Sequence, residues 1–216
     1  MAVLGALDPF HHENSFYLSC GPERIGKLLA QWELFSRTLE VPGEIIECGV
    51  FKGASFARWA MFRELFCLPQ AKRLIGFDTF GTYFPADTER DEALRSAVVS
   101  GAGDQGISRT DLYCALIDKG CGRNVELVAG DICETVPRYV REHPELKIAL
   151  LNVDVDFAAA TETIMEHLYP RLSVGGVLIL DDYATFEGET AVVDRLGIGP
   201  VRKFPYAYSP CYVVKE

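Results

Sequence analysis

The sequence predicts a single α/β domain, built as a mostly parallel sheet with helices on both faces. Short apolar runs alternate with segments of helical periodicity from residue 44 to residue 180. The runs are apolar throughout, as strands are when both their faces are covered. Five of them end in an acid, and open sheets of this kind bind ligands beyond the carboxyl ends of their strands. The 216 residues suit one domain over 1–216, and a composition 49% hydrophobic and 24% charged supplies a core and excludes a disordered chain.

The elements follow in order. Residues 8–21 read as an irregular lead-in. Gly21-Pro22-Glu23 opens a helix, with Pro22 in its first turn. Ile25, Leu28, Leu29, Trp32, Phe35 and Leu39 recur at helical spacing until Pro42-Gly43 stops the run, so 1–40 is a helical lead-in. A strand covers 44–48 and a helix 54–67. A second strand covers 73–77 and ends at Asp78. Residues 79–106 are too long for a simple connection and hold Gly81, Pro85, Gly101, Gly103 and Gly106. Such a segment reads as a lid insertion, with Phe80, Tyr83 and Phe84 bordering the ligand. Helices at 107–120, 133–142 and 158–172 then alternate with strands at 125–128, 147–153 and 176–180. A helix near 189–196 and strands near 200–204 and 210–214 close the chain.

A net charge of -10 argues against nucleic acid or an anionic membrane as the main partner. No apolar run approaches the ~20 residues that span a bilayer. Seven cysteines with no CxxC pair fit reduced thiols. Residues 1–7 lack the basic start of a secretory signal. A cytoplasmic location is expected.

Glu47-x-Gly49-x-x-x-Gly53 marks a sharp turn after the first strand and a close helix start. Alone it fits a tight turn as well as a nucleotide site. Asp78 ends the next strand about 30 residues on, where an acid can accept ribose hydroxyls. The pyrophosphate fingerprint GxGxxG is missing, and a carboxylate at Glu47 would repel phosphate while attracting a sulfonium and an amino group. These features favour S-adenosylmethionine. Asp131, after the third strand, fits either the adenine or an N-cap of the next helix. Asp154 and Asp156 are two apart on an extended chain and so share a face. Asp181 and Asp182 end the neighbouring strand. Four carboxylates in one cleft repel strongly unless a cation or protons compensate, and hard oxygen donors favour Mg²⁺, with Ca²⁺ or Mn²⁺ as alternatives.

The stretches IIECGVFKGAS, GFDTFGTYFPADT, VELVAGDICETVP and LNVDVDFAAATETIMEHLYPRLSVGGVLILDDY carry a resemblance to the macrocin O-methyltransferase family over roughly residues 40–215. The resemblance implies a Rossmann-like class I methyltransferase with a seven-stranded sheet whose last strand is antiparallel. It implies S-adenosylmethionine at Glu47, Gly49, Gly53, Ser55, Asp78 and Asp131. It further implies a metal at Asp154, Asp181 and Asp182, Asp156 as general base, and a hydroxyl of a sugar or other natural product as methyl acceptor. A nucleotide-dependent oxidoreductase is the main competing reading. It is disfavoured by the missing GxGxxG and by the lack of a Tyr-x-x-x-Lys pattern. A non-catalytic cofactor-binding module is disfavoured by the retained acids. His167 and His143 read as structural, whereas His11 and His12 could wall the substrate. Phe10, Phe16 and Tyr17 suggest a homodimer.

Overall fold

The computed structural model describes residues 8–82 and 89–216. Tyr83 and Phe84, expected at the lid, lie outside them. The elements in chain order are α1 (Pro9–Ser19), α2 (Pro22–Ser36), β1 (Glu44–Cys48), α3 (Ala54–Phe66), β2 (Leu74–Asp78), α4 (Glu89–Ala102), α5 (Arg109–Asp118), β3 (Val125–Ala129), α6 (Ile132–Glu142), β4 (Ile148–Val153), α7 (Ala158–His167), β5 (Leu172–Leu180), α8 (Glu187–Leu196), β6 (Arg202–Lys203) and β7 (Cys211–Val214).

The seven strands form one sheet in the order β3-β2-β1-β4-β5-β7-β6. β1 to β5 pair in parallel, and β7 inserts antiparallel between β5 and β6. The chain first winds outward from β1 to β3, then returns to β4 on the other side of β1. The crossovers diverge there, so a crevice opens at the ends of β1 and β4.

Alternation along the strands feeds two cores, one on each face. Ile45, Leu74, Leu150 and Ile179 pack under α2, α3 and α5, against Leu34, Phe35, Phe56, Trp59 and Leu116. Ile46, Ile75, Leu151 and Leu178 pack under α6, α7 and α8, against Val136, Ile164, Met165 and Val192. Burying such a side chain contributes roughly 1.5–3 kcal/mol. Arg63 of α3 is fully buried and donates to the carbonyls of Asn124 (2.9 Å), Cys121 (3.1 Å), Lys72 (3.3 Å) and Arg123, tying α3 to the loops before β2 and β3.

Two expectations need correction. The lead-in at 8–21 contains a helix, α1, begun by an Asp8 N-cap and Pro9 in its first turn. None of its residues is buried, so it has no apolar stripe by which the sequence could announce it. The insertion at 79–106 contains the 14-residue helix α4. This helix is anchored by Asp91, which is 1% exposed and accepts from the backbone N–H groups of Glu187 (2.9 Å) and Gly188 (3.1 Å) at the start of α8.

Candidate active site

A cavity of about 500 Å³ lies at the ends of β1 and β4. Its floor is the glycine turn. Gly49 has φ +89°, and a Cβ there would sit 1.7 Å from the carbonyl oxygen of Asp154. Gly53 has φ +82° and begins α3. The segment 79–106, expected as a lid, contributes Thr79, Gly81, Thr82, Val98, Ala102 and Gly106 to the lining. Phe80 instead packs on the α2–α3 core.

The expected cofactor residues separate into two groups. Gly49, Ser55, Asp78 and Asp131 line the cavity. Asp78 is already heavily engaged: Oδ2 accepts from the N–H groups of Val50 (2.7 Å) and Phe51 (2.9 Å), and Oδ1 accepts from Phe80 N–H (2.6 Å). Its carboxylate therefore shapes the turn as well as facing the cavity. Asp131 also does two things, because its side chain caps α6 by accepting from Cys133 N–H at 2.8 Å.

Glu47 departs from its expected place at the cavity rim. β1 ends at Cys48, as expected, so Glu47 is its penultimate residue; it points to the α3 side and is fully buried. Asn152 of β4 donates to its Oε1 at 3.0 Å, while Oε2 has no partner. Burial pushes the Glu47 carboxyl up to about 8, although the nearby Ser55 hydroxyl and the Asn152 amide work the other way. Gly53 lies under Ile107 and Leu112 and shapes the turn from behind.

The aspartates converge as a group. Asp154, Asp156, Asp181 and Asp182 all line the cavity. Oxygens of Asp154, Asp156 and Asp182 lie within 4.8 Å of one another, an arrangement that could hold a metal ion. Asp181 turns instead to Lys27 of α2, with Oδ2 2.6 Å from the ammonium. Asp156 has φ +62°, a left-handed conformation that a non-glycine residue rarely adopts. Such conformations cluster at functional sites. Burial raises the Asp154 carboxyl to about 7, helped by Asp181, and the Asp156 carboxyl to about 6. Burial, then Asp156 and Asp154, holds Asp182 well above the carboxylate range.

Sequence reasoning missed three residues here. Lys27 reaches the cluster from α2; burial works to lower its pKa, but Asp181 and Asp154 outweigh that and raise it. Glu189 of α8 is fully buried beside the cluster, with both carboxylate oxygens unpartnered. Arg58 of α3 lines the cavity near Glu47. His167, His11 and His12 are absent from the cavity lining, and His143 caps the end of α6.

The strand order, the glycine turn and the switch-point cavity define a class I methyltransferase fold. Residues 16–197 match the model of the family described as Macrocin-O-methyltransferase (TylF), and the chain belongs to that family. It is 30% identical to the 8-demethyl-8-(2,3-dimethoxy-alpha-L-rhamnosyl)-tetracenomycin-C 4'-O-methyltransferase of Streptomyces olivaceus, over 73% of this chain and 59% of that protein. It is 28% identical to the mycinamicin III 3''-O-methyltransferase of Micromonospora griseorubida, over 73% of this chain and 63% of that one. The chain thus spans about six tenths of the length of these curated relatives. Among solved structures, the calicheamicin methyltransferase CalS11 superposes with a TM-score of 0.73 at 26% identity, over 97% of this chain and 87% of that one. The O-methyltransferase NovP, at 18% identity, shares the fold with a TM-score of 0.73 over 88% of this chain and 80% of that one.

Proposed function

We propose that the protein is an S-adenosylmethionine-dependent, metal-dependent O-methyltransferase acting on a sugar hydroxyl of a glycosylated natural product or its precursor. The observation that carries this reading is the convergence of Asp154, Asp156 and Asp182 beside the glycine turn in one cavity. Family membership and relatives named for methylation of sugar positions support it.

The donor set fits a hard divalent cation. It consists of carboxylate oxygens, and Asp181 Oδ1 and Asp182 Oδ2 are buried with no hydrogen-bond partner. In this proposal Asp154, Asp181 and Asp182 hold Mg²⁺, with Ca²⁺ or Mn²⁺ as substitutes. When bound, the ion supplies positive charge that lowers the pKa of an acceptor hydroxyl. Asp156 takes the hydroxyl proton as the oxygen–carbon bond forms and the sulfur–carbon bond of the donor breaks, leaving S-adenosylhomocysteine. Gly49 lets the donor approach the backbone, and Asp78 and Asp131 face its nucleoside. The cofactor already carries the reactive methyl, so these residues chiefly orient donor and acceptor.

The test is methyl transfer to rhamnosylated acceptors with and without EDTA, paired with Mn²⁺ titrations of Asp156→Asn. The expected result is loss of transfer in EDTA, rescue by Mg²⁺, and an Asp156→Asn protein that still binds Mn²⁺ but turns over at least about 100-fold more slowly. Transfer that survives EDTA sinks the metal requirement. Loss of Mn²⁺ binding in Asp156→Asn makes Asp156 a ligand rather than the base. Stabilisation by NAD(P) but not by S-adenosylhomocysteine overturns the cofactor assignment.

A further inference from the structure

The cavity has an anionic side and a cationic side. Four cationic residues line it: Arg24 and Lys27 of α2, Lys52 of the glycine turn, and Arg58 of α3. Lys27 is committed to Asp181, and Lys52 donates to the carbonyl of Gln105. Among the described residues, neither Arg24 nor Arg58 has a hydrogen-bond or ion-pair partner, and the Nε of Arg58 is buried without one. The two guanidinium groups sit close enough for the charge of Arg24 to disfavour the charge of Arg58. Burial is the larger cause of the downward shift at Arg58, and Glu47, Asp181 and Asp154 do not offset it. An Nε–H that is buried with no hydrogen-bond acceptor is costly unless a ligand supplies one.

The position of Arg58 indicates which ligand. It lies one helical turn beyond Ser55, on the helix that leaves the glycine turn, and both residues line the cavity. This is the donor side. The proposed base, Asp156, lies on the other strand end with Phe186. With the nucleoside against Asp78 and Asp131 and the sulfonium near Gly49 and Asp154, the remaining part of the donor is its amino-acid tail. We infer that Arg58, with Arg24 beside it, is the receptor for the α-carboxylate of the methionine moiety, and so selects the intact amino-acid nucleoside over the same nucleoside without the tail. This rests on the donor assignment above. The fork of Arg58 suits a bidentate carboxylate contact, and the exposed Arg24 adds charge at the entrance.

The experiment compares S-adenosylhomocysteine with 5'-methylthioadenosine, which keeps the adenosine and thioether but lacks the tail. Binding of each to the wild type, Arg58→Met and Arg24→Met is measured by calorimetry. The wild type should prefer S-adenosylhomocysteine. Arg58→Met should lose about 10- to 100-fold of that affinity while binding methylthioadenosine within about twofold of the wild type. Arg24→Met, at an exposed position, should show a smaller selective loss of about threefold, and it decides the matter if Arg58→Met does not fold. Unchanged affinity for S-adenosylhomocysteine in either folded variant overturns the inference. So does a parallel fall for both ligands, which marks a structural role. A third arm with a nucleoside diphosphate tests an acceptor phosphate: if only that ligand weakens, the arginines serve the acceptor and the inference fails. A wild type that binds neither adenosyl ligand refutes the donor assignment itself.

Discussion

Gly49→Ala should be among the most damaging single-methyl changes in this chain. The added Cβ would lie 1.7 Å from the Asp154 carbonyl oxygen, far inside the 3.0 Å that such contacts respect. The backbone at φ +89° also disfavours an L-residue, at a cost of roughly 1–2 kcal/mol. Relief requires β1 and β4 to part by more than 1 Å at the cavity floor. That movement strips the bond from Asp154 N–H to Cys48 O and the bond from Gly49 N–H to Phe77 O, both 2.9 Å. Two lost backbone bonds add about 1 kcal/mol each. The total is about 3–4 kcal/mol, a large part of the 5–15 kcal/mol typical of a domain. Urea unfolding followed by the fluorescence of Trp32 and Trp59 measures it. Gly101→Ala is the control: it lies in α4 with nothing within 4 Å of its Cβ, and it should stabilise by about 0.5–1 kcal/mol. A Gly49→Ala protein within 1 kcal/mol of wild type would refute the close approach of β1 to β4.

Glu47→Gln tests a buried charge. The folded carboxyl is pushed up to about 8, so the folded state keeps a proton that the unfolded chain releases near 4.5. Stability should therefore fall as pH rises from about 4.5 to about 8 and level off above. The glutamine variant should flatten that profile and be the more stable protein at pH 9, by at most about 5 kcal/mol; equal pH profiles would show that Glu47 is not a buried acid. Arg63→Met leaves the carbonyls of Lys72, Cys121 and Arg123 without their donor, while Asn124 keeps the N–H of Leu74, and should cost about 3 kcal/mol in the same urea assay, with the loops before β2 and β3 exchanging amide hydrogens faster. An Arg63→Met protein of wild-type stability would show that water replaces the guanidinium freely.

Much of the fold could be read because its strands are buried on both faces and its helices carry apolar periods. Pro22 and Pro42-Gly43 punctuated the first helix run legibly, although α2 ends earlier, at Ser36. The acids were legible for a similar reason: Asp78, Asp154, Asp181 and Asp182 follow apolar strands directly, and all face the cavity. Glu47 fits the same textual pattern but sits one residue inside its strand, and a period of two then sends it into the core. The residues that were not legible reach the site from helices. Whether Lys27 and Arg58 face solvent or a cavity depends on how α2 and α3 lie on the sheet, which local spacing does not encode. Glu189, three residues into α8, reads as an ordinary acidic helix start; only the packing of α8 on the strand ends buries it. α1 buries none of its described residues and α4 only Asp91, so neither has a core-facing apolar run for the sequence to announce.

The anchoring of α4 by Asp91 has a consequence for traffic through the cavity. α4 holds on to the first turn of α8, and the same turn carries Glu189 in among the aspartates. A displacement of α4 would leave two N–H groups at the head of α8 to find water, at a cost on the order of 1–3 kcal/mol. That cost falls on the helix that backs the acidic cluster. The position of α4 and the order of that wall therefore draw on one shared contact. A ligand that steadies α4 would then steady the wall behind the aspartates, and by reciprocity whatever steadies that wall would hold α4 in place.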